Sequence, residues 1–275
     1  MSDLYLSPQV FSILTTLITE RVGISYGITD KLLFDSKVTQ RAQEAGFSSM
    51  LDYYYFLRYD DADQREFRAL AESLTVHETY FFRELEPLRI GISQFVAPAV
   101  EQRGFARVWC AACATGEEAY MLAMLLDDAG ILGSVELVAS DLSERALARA
   151  RSGEFSSRAL RQRSEHPFAT RYLETTADGL RAAPALRSRI DFRNVNLAHL
   201  DSIRALGDFD LIACRNVLFY FADRTARATV EQLGEQLHPT GALLVGVTES
   251  LMRFGTALTC EERGGAFFYR KEPRS

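Results

Sequence analysis

The stretch VWCAACATGEEAY, residues 108–120, decides the fold of this 275-residue chain. Its apolar residues predict a buried strand ending in small residues, Gly116 predicts a tight turn, and Glu117 and Glu118 predict the first turn of a helix. Small residues at the carboxyl end of a first strand let a ligand approach the backbone. The loop has one glycine instead of the GxGxxG pattern, and its glutamates suit a cationic ligand better than a pyrophosphate. On spacing alone, the glutamates could equally well only complement the helix dipole.

Around this stretch, short apolar runs alternate with amphipathic segments, which is typical of a parallel sheet covered on both faces. The predicted strands are 105–112, 135–140, 190–195, 209–214 and 242–247, with a late strand at 265–270. The predicted helices are 117–128, 143–152 and 223–237. The sequence therefore predicts the α/β class.

Three further regions complete the predicted organisation. Residues 1–75 form an all-helical domain, with a net charge of −4 from 7 basic and 11 acidic residues. Residues 76–104 link it to a ligand-binding domain at 105–275. An insertion at 156–189 interrupts that domain and carries seven arginines against three acidic residues. The apolar positions at helical spacing in the first domain are Phe11, Leu14, Leu17, Ile18 and Val22, then Leu51, Tyr54, Tyr55 and Leu57.

Composition excludes several classes of protein. With 47% hydrophobic and 25% charged residues, the chain is neither disordered nor collagen-like. No apolar run approaches the roughly 20 residues of a membrane helix. The N-terminus lacks the basic region of a secretory signal, and four cysteines without an export signal favour a reducing, cytoplasmic setting. The net charge of −6 disfavours nucleic acid as the main partner.

An acidic residue, Asp141, ends the second predicted strand in the motif VASDLS at 138–143. A carboxylate at this position grips ribose hydroxyls in nucleoside-binding sheets. Alternatively, Asp141 is the N-cap of the next helix. Ser143 can supply that cap instead, which would leave Asp141 available to a ligand.

The motif FDLIACRNVLFYF at 209–221 runs from a buried strand into the polar pair Arg215 and Asn216, followed by Tyr220. A charged residue directly after a buried strand lies at the ligand-facing rim of the sheet. The structural alternative makes Arg215 an ion-pair partner and Tyr220 a core aromatic residue.

The connecting segment SLTVHETYFFRE at 73–84 is richer in functional groups than a plain linker. Arg83 on this segment is placed to reach a ligand. The alternative is an amphipathic connecting helix with solvated Glu78, Arg83 and Glu84.

Metal and redox chemistry are not expected. Cys110 and Cys113 form a CxxC pair, but a zinc site needs two more ligands, and Cys214 and Cys260 stand alone. The four histidines lack metal-ligand spacing.

Together these residues resemble the CheR family, the chemoreceptor glutamate methyltransferases that use S-adenosylmethionine. The resemblance covers nearly the whole chain. Its motifs are FFRE at 81–84, ATGEE at 114–118, ASDLS at 139–143, ARSGEF at 150–155, VNL at 195–197, CRNVLFYF at 214–221 and HPTGALLVGVTESL at 238–251.

The resemblance implies a Rossmann-like class I methyltransferase sheet, an N-terminal all-helical domain and a small inserted β-subdomain that contacts receptors. It implies S-adenosylmethionine as cofactor and S-adenosylhomocysteine as product. The implied cofactor-binding residues are His77, Thr79, Arg83, Glu118, Asp141, Asn196, Leu197, Arg215 and Asn216. Arg83 and Tyr220 match the pair near the transferred methyl group, and no metal is implied.

The chain departs from the family pattern at several points. The family commonly has asparagine where this chain has His77, and its helical domain is often basic, whereas residues 1–75 are acidic here. The insertion lacks the glycine-rich loop of members that bind a receptor's C-terminal pentapeptide, so such tethering is not expected.

The expected activity is therefore methyl transfer to glutamate side chains in the cytoplasmic region of a chemoreceptor-like protein, without membrane insertion. One alternative is a catalytically idle cofactor-binding interaction module. Another is a nicotinamide-dependent enzyme, which the missing GxGxxG disfavours. The basic insertion is expected to dock the acidic substrate, unless its arginines only form a solvated surface. The arginines proposed for docking are Arg158, Arg161, Arg163, Arg171 and Arg181.

Overall fold

The computed structural model describes residues 4–161 and 166–272. The chain forms two compact units. The first comprises Met1–Val76 with Tyr220–Thr225, and the second comprises His77–Phe219 with Ala226–Ser275.

The first unit is helical. Its helices are α1 (Pro8–Val22), α2 (Lys31–Glu44), α3 (Met50–Tyr55) and α4 (Arg65–Leu74). Ser7 starts α1 by accepting a hydrogen bond from the Val10 amide at 3.2 Å, and Gly23 ends it in the left-handed conformation. The carboxylate of Glu66 on α4 accepts from Arg41 and from the buried Tyr53 hydroxyl, each at 2.7 Å, which ties three helices together.

The predicted inner face of α3 is wrong at Leu51 and Tyr55, whereas Leu57, just beyond the helix, is buried as expected. Met50, Tyr53 and Leu57 are buried, whereas Leu51 and Tyr55 are 42% and 50% exposed. The aromatic run gives two faces of this helix similar hydrophobicity, so spacing does not decide between them. Tyr53 can be buried because Glu66 accepts its hydroxyl hydrogen.

A short segment from later in the chain, Tyr220–Thr225, also belongs to the helical unit. Ile24 and Phe221 form an isolated antiparallel bridge. The Ser25 amide donates to the Tyr220 carbonyl at 2.8 Å, and the Ala222 amide donates to the Gly23 carbonyl at 3.1 Å. Sequence analysis placed residues 220–225 in the ligand-binding domain, because nothing local in the sequence indicates this return.

The second unit contains the sheet. Its strands are β1 (Ala106–Ala111), β2 (Val135–Asp141), β3 (Glu154–Phe155), β4 (Leu173–Thr176), β5 (Gly179–Ala182), β6 (Ile190–Asn194), β7 (Phe209–Cys214), β8 (Leu237–Leu244), β9 (Leu258–Arg263) and β10 (Ala266–Lys271). The remaining helices are α5 (Leu85–Gly91), α6 (Ala97–Arg103), α7 (Glu117–Asp128), α8 (Glu144–Ser152), α9 (Pro167–Tyr172), α10 (Pro184–Arg187), α11 (Leu200–Arg204) and α12 (Asp223–Glu235), the last of which begins in residues of the helical unit.

The main sheet has seven strands in the order β6-β2-β1-β7-β8-β10-β9. Strands β6, β2, β1, β7 and β8 are parallel, and β10 pairs antiparallel with both β8 and β9. The strand order reverses at β1, where the chain returns to add β7 on the other side. The predicted α/β, Rossmann-like fold is confirmed.

The carboxyl-terminal strands differ from the prediction. The strand predicted at 242–247 is β8, which spans Leu237–Leu244. Its pairing with β7 shifts register between Phe209 and Leu211. Residues 238–240 therefore lie within the strand, where they interrupt the apolar pattern, and the sequence does not show where the strand begins. Strand β9 was missed because its exposed residues carry no apolar run, although it pairs with β10 along its whole length.

A second sheet of three antiparallel strands has the order β3-β5-β4. It begins at Glu154, ahead of residue 156 where sequence analysis began the insertion. The proposed docking residue Arg163 lies outside the described residues.

The connecting segment is not the amphipathic helix considered as an alternative. Residues 75–80 have no regular structure, residues 81–84 form a turn, and α5 begins at Leu85. The α5 helix continues through a π-helical segment at Ile92–Val96 into α6. Among the described residues, no helix is long and apolar enough to cross a bilayer.

Candidate functional site

The carboxyl ends of the parallel strands meet at one edge of the sheet, and the loop after β1 lies there. Ala112 and Ala114 adopt positive φ angles of 59° and 48°. Gly116 has φ 98°, and a Cβ at this position would lie 2.8 Å from the Ala150 Cβ, so close packing against α8 requires glycine. Strained backbone of this kind persists at sites where neighbouring structure enforces it, and it often marks ligand binding.

Asp141 ties this loop to the end of β2. Its Oδ2 accepts a hydrogen bond from the Ala114 amide at 2.8 Å, and its Oδ1 accepts from the Ser143 amide at 2.9 Å. Ser143 caps α8 by accepting from the Ala146 amide at 3.1 Å. The carboxylate is therefore not the helix cap, and it ties the loop after β1 to the end of β2.

Burial raises the pKa of Asp141 above the ordinary range of an aspartate. The Ser143 and Ala114 amides and the charge of His77 oppose this shift by stabilising the carboxylate. His77 thus lies within electrostatic reach of Asp141, and both are among the residues predicted to bind the cofactor.

The loop after β6 lies beside Asp141. The Val195 amide donates to the Asp141 carbonyl at 3.1 Å. Asn196 accepts from the Ala198 amide through its side-chain oxygen at 2.9 Å, and the Leu197 carbonyl accepts from the Thr229 hydroxyl at 2.9 Å. These bonds fix Asn196 and Leu197 next to the end of β2.

Arg215 follows β7, and its side chain is fully buried. Its Nη1 donates to Glu118 of α7 at 2.6 Å, and its Nη2 donates to the Glu84 carboxylate at 2.8 Å. The Nη2 also donates to the carbonyls of Arg83 and Glu84, at 3.1 and 3.2 Å. Its Nε has no hydrogen-bond partner among the described residues. Arg215 thus has the ion-pair partners of the structural alternative and holds the connecting segment against the sheet, while its predicted cofactor contact stays a prediction.

The charges of this ion triplet are mutually dependent. Burial alone would lower the pKa of Arg215, but Glu118 and Glu84 raise it. Burial raises the pKa of Glu118, although Arg215 opposes the shift. Burial would also raise the pKa of Glu84, yet the bond from Arg215 leaves it lower than usual. Arg215 therefore stabilises the ionised form of both carboxylates.

The connecting segment is held at further points. The Phe81 ring is buried and its amide donates to the Ala159 carbonyl at 2.8 Å, while the Phe82 amide lies 2.7 Å from the Met121 sulfur. Arg83 is half-buried, and its guanidinium donates to the Glu78 carbonyl in an exposed hydrogen bond of 3.1 Å. Thr79 lines a cleft together with His77.

Sequence analysis missed Glu249, which organises the loop after β7. Its carboxylate accepts from the amides of Asn216, Val217, Leu218 and Gly246 at 2.7, 3.0, 2.8 and 2.9 Å. Asn216 is held at φ 59° in this loop. The sequence signal was available, since a glutamate soon after a buried strand indicates a carboxylate near backbone donors at the rim of the sheet.

Glu84 was also missed as a site residue. Its carboxylate bridges Arg215 and the Val247 amide, which lies 3.2 Å away.

Tyr220 belongs to the helical unit, whereas the other predicted site residues belong to the unit that contains the sheet. It lies in a short 3-10 turn at Leu218–Tyr220.

Three of the four cysteines are buried thiols, whereas Cys260 is exposed. Burial raises the pKa of Cys110, Cys113 and Cys214 well above the usual thiol value, which keeps them protonated. Cys110 donates to Glu118 at 3.4 Å. Within residues 4–161 and 166–272, no three metal-ligating side chains form a cluster that could hold a metal ion.

The residues present suit a nucleoside with a positive charge. A buried carboxylate ends β2, and the strained loop after β1 lies next to it. Glu117 and Glu118 open the following helix with negative charge. Fold and site together define a Rossmann-like nucleoside-binding enzyme, and S-adenosylmethionine, a sulfonium nucleoside, fits this set of side chains.

The family model described as "CheR methyltransferase, SAM binding domain" matches residues 77–263. This match covers more than half of the chain. The chain belongs to the CheR methyltransferase family and is an S-adenosylmethionine-dependent methyltransferase.

Curated relatives match over most of their length. The chain is 30% identical to chemotaxis protein methyltransferase 2 of Vibrio cholerae, covering 93% of this chain and 90% of the relative. It is 30% identical to chemotaxis protein methyltransferase 1 of Pseudomonas aeruginosa, covering 88% and 90%. It is 33% identical to the probable biofilm formation methyltransferase WspC of Pseudomonas putida, covering 86% of this chain and 56% of that protein.

We expect Glu249→Gln to lower the free energy of unfolding by about 2–3 kcal/mol. The substitution removes the charge that the backbone amides share and turns an NH₂ group toward N–H donors. Denaturant unfolding measures this loss. The matched control is Glu262→Gln on β9, an exposed glutamate whose substitution should leave stability nearly unchanged. Equal stability of the two variants would show that Glu249 does not organise the loop.

Proposed function

We propose that this chain transfers the methyl group of S-adenosylmethionine to glutamate side chains of a chemoreceptor-type protein, forming glutamyl methyl esters. The family match supports this proposal most directly. Relatives named chemotaxis protein methyltransferases, which align over nearly the whole chain, support it as well. Relatives named biofilm formation methyltransferases align as well, so a receptor of a related signalling pathway fits the same chemistry.

S-adenosylmethionine supplies a methyl group that its sulfonium already activates. The substrate glutamate has a reference pKa of about 4.3, so its carboxylate is the nucleophile at neutral pH and needs no general base. The protein's task is to position the carboxylate in line with the methyl group. Well-oriented reactions gain about 7–11 kcal/mol from such positioning.

Arg83 is the residue proposed to orient the substrate carboxylate. Its carbonyl accepts from Arg215, and its guanidinium has an exposed hydrogen bond to the Glu78 carbonyl and a contact with the Tyr80 ring. Tyr220 is the proposed second contact, as a hydrogen-bond donor to the carboxylate. Neither residue should stabilise the anion strongly, because negative charge decreases on the way to the transition state.

The residues proposed to hold the cofactor fall into two groups. Asp141, with Asn196 and Leu197 beside it, is proposed to bind the nucleoside, because a carboxylate at the end of β2 accepts ribose hydroxyls. The second group contains the remaining rim and linker contacts, namely His77, Thr79, Arg83, Glu118, Arg215 and Asn216.

An idle interaction module fits the observations less well than an enzyme does. Arg83 serves no fold contact comparable with that of Arg215, yet it lies among the residues proposed to bind the cofactor. An idle module has no use for a half-buried cation at that place.

We expect Asp141→Asn to weaken binding of S-adenosylhomocysteine at least about tenfold, because a charge-assisted hydrogen bond contributes about 1.5–3 kcal/mol. The raised pKa of Asp141 sets the pH dependence of this binding. An ordinary aspartate has a pKa of about 3.9. As the pH is lowered, the affinity of the wild type should begin to fall at a higher pH than such an aspartate would give, because Asp141 is protonated sooner. Calorimetry across pH checks both effects, with the variant as the reference that lacks this titration. Equal affinity at pH 7 would reject Asp141 as a nucleoside contact.

We expect Arg83→Ala to lower methyl transfer to a chemoreceptor cytoplasmic region by about 100-fold, because misplaced reactants lose this much rate. The melting temperature should stay close to that of the wild type, since the Arg83 side chain contributes only an exposed hydrogen bond and a ring contact, while its carbonyl still accepts from Arg215. The control is Arg89→Ala, an exposed arginine on α5. Base-labile methyl esters, located by mass spectrometry with isotopically labelled methyl donor, report the reaction. Retained activity in Arg83→Ala would assign this residue to the fold, and no glutamyl ester with the wild type would refute the proposed function.

A further inference from the structure

A cleft of about 640 Å³ lies within the larger unit, lined by α8, β3 and the segment that follows β3. Its lining is basic in a chain whose net charge is −6. The charged side chains are Arg145, Arg149, Arg158 and Arg161 against Glu117 and Glu154, a net charge of +2 before His77 is counted.

Two of these arginines have unused binding capacity. Within residues 4–161 and 166–272, the Arg149 and Arg158 guanidinium groups form no hydrogen bond or ion pair, although the charge of Arg149 acts on the nearby Glu117 carboxyl, and both arginines are exposed. Arg161 differs, because it donates to Glu78 at 2.9 Å and lies over the Tyr80 ring. Arg149 and Arg158 therefore offer their donors to a ligand.

The other arginines predicted from sequence to dock the substrate are engaged within the protein. Arg171 pairs with Asp127 and Asp128 at 3.3 and 3.1 Å. Arg181 pairs with Glu154 at 3.2 Å, which also reduces the negative charge on the cleft wall. Of the predicted docking arginines that the structure describes, Arg158 is the one without such a partner, and Arg149 on α8, outside the predicted insertion, lines the same cleft.

We propose that this cleft binds an acidic segment of the protein substrate, through carboxylates that flank the glutamate to be methylated, with Arg149 and Arg158 as the main contacts. The proposal rests on the proposed function and specifies how that substrate is held. His77, Thr79 and Thr115 line the same cleft, so a segment bound there lies beside residues proposed to bind the cofactor.

The lining favours a polypeptide over a compact phosphate ligand. Glu117 and Glu154 in the wall oppose a concentrated polyanion, whereas a peptide can place its carboxylates at the arginines alone. Phe155, Ala159 and Leu160 supply apolar surface for the methylene groups of glutamate side chains. The volume falls within the range of about 300–1,000 Å³ that is typical of ligand clefts.

The test uses the full chain with Arg149→Glu and Arg158→Glu combined. We expect the KM for the receptor cytoplasmic region to rise at least about tenfold, since like charges facing an acidic segment repel it. The kcat at saturating receptor and the affinity for S-adenosylhomocysteine should stay within about twofold, because these residues are not part of the reacting site. The control variant combines Arg204→Glu and Arg227→Glu, which makes the same change of net charge on exposed helices elsewhere in this unit.

A direct binding arm uses a fluorescent glutamate-rich peptide and its glutamine-substituted counterpart. The wild type should bind only the acidic peptide, and the cleft variant should lose that binding. Equal KM values for the cleft and control variants would overturn the proposal. Binding of inorganic pyrophosphate that needs both arginines, without peptide binding, would also overturn it in favour of a phosphate ligand. Absence of receptor methylation by the wild type would refute the proposed function, while the peptide arm still tests the cleft.

Discussion

The buried guanidinium of Arg215 between Glu84 and Glu118 holds together segments that are distant in sequence. Arg215 follows β7, Glu118 opens α7, and Glu84 ends the connecting segment. A buried charge that loses its partner costs several kcal/mol, so the connecting segment cannot leave the sheet without a large penalty. The position of Arg83, next to Glu84 and bonded through its carbonyl to Arg215, follows from this constraint.

Carboxylates fix the backbone around this triplet. Asp141 holds the loops after β1 and β2 through two amides, and Glu249 holds the loops after β7 and β8 through four. Both replace water as acceptors for N–H groups at the edge of the sheet, where the strands end and loop amides need partners. The edge is thereby rigid before a ligand arrives, which is the arrangement that catalysis by positioning requires.

Local pattern explains what could be predicted from the sequence. The alternation of apolar strands and amphipathic helices is visible within short windows, and so are the polar residues that follow β1, β2 and β7. Pairings across long separations are not visible. Glu84 and Arg215 are 131 residues apart, and nothing near either residue indicates the other. Residues 238–240 in the bulged β8 read as a turn, and the return at Tyr220–Thr225 to the helical unit has no local signal.

Hydrogen exchange of the connecting segment tests most directly whether Arg215 holds it in place. Glu84→Gln removes one ion pair while Arg215 keeps Glu118, so the sheet should remain folded. The account predicts that the amides of Phe81 and Phe82 exchange at least about tenfold faster than in the wild type, because about 1.5–3 kcal/mol of charge-assisted bonding is lost. The amides of β1 and β7 should keep their protection. Unchanged exchange at Phe81 and Phe82 would contradict the account.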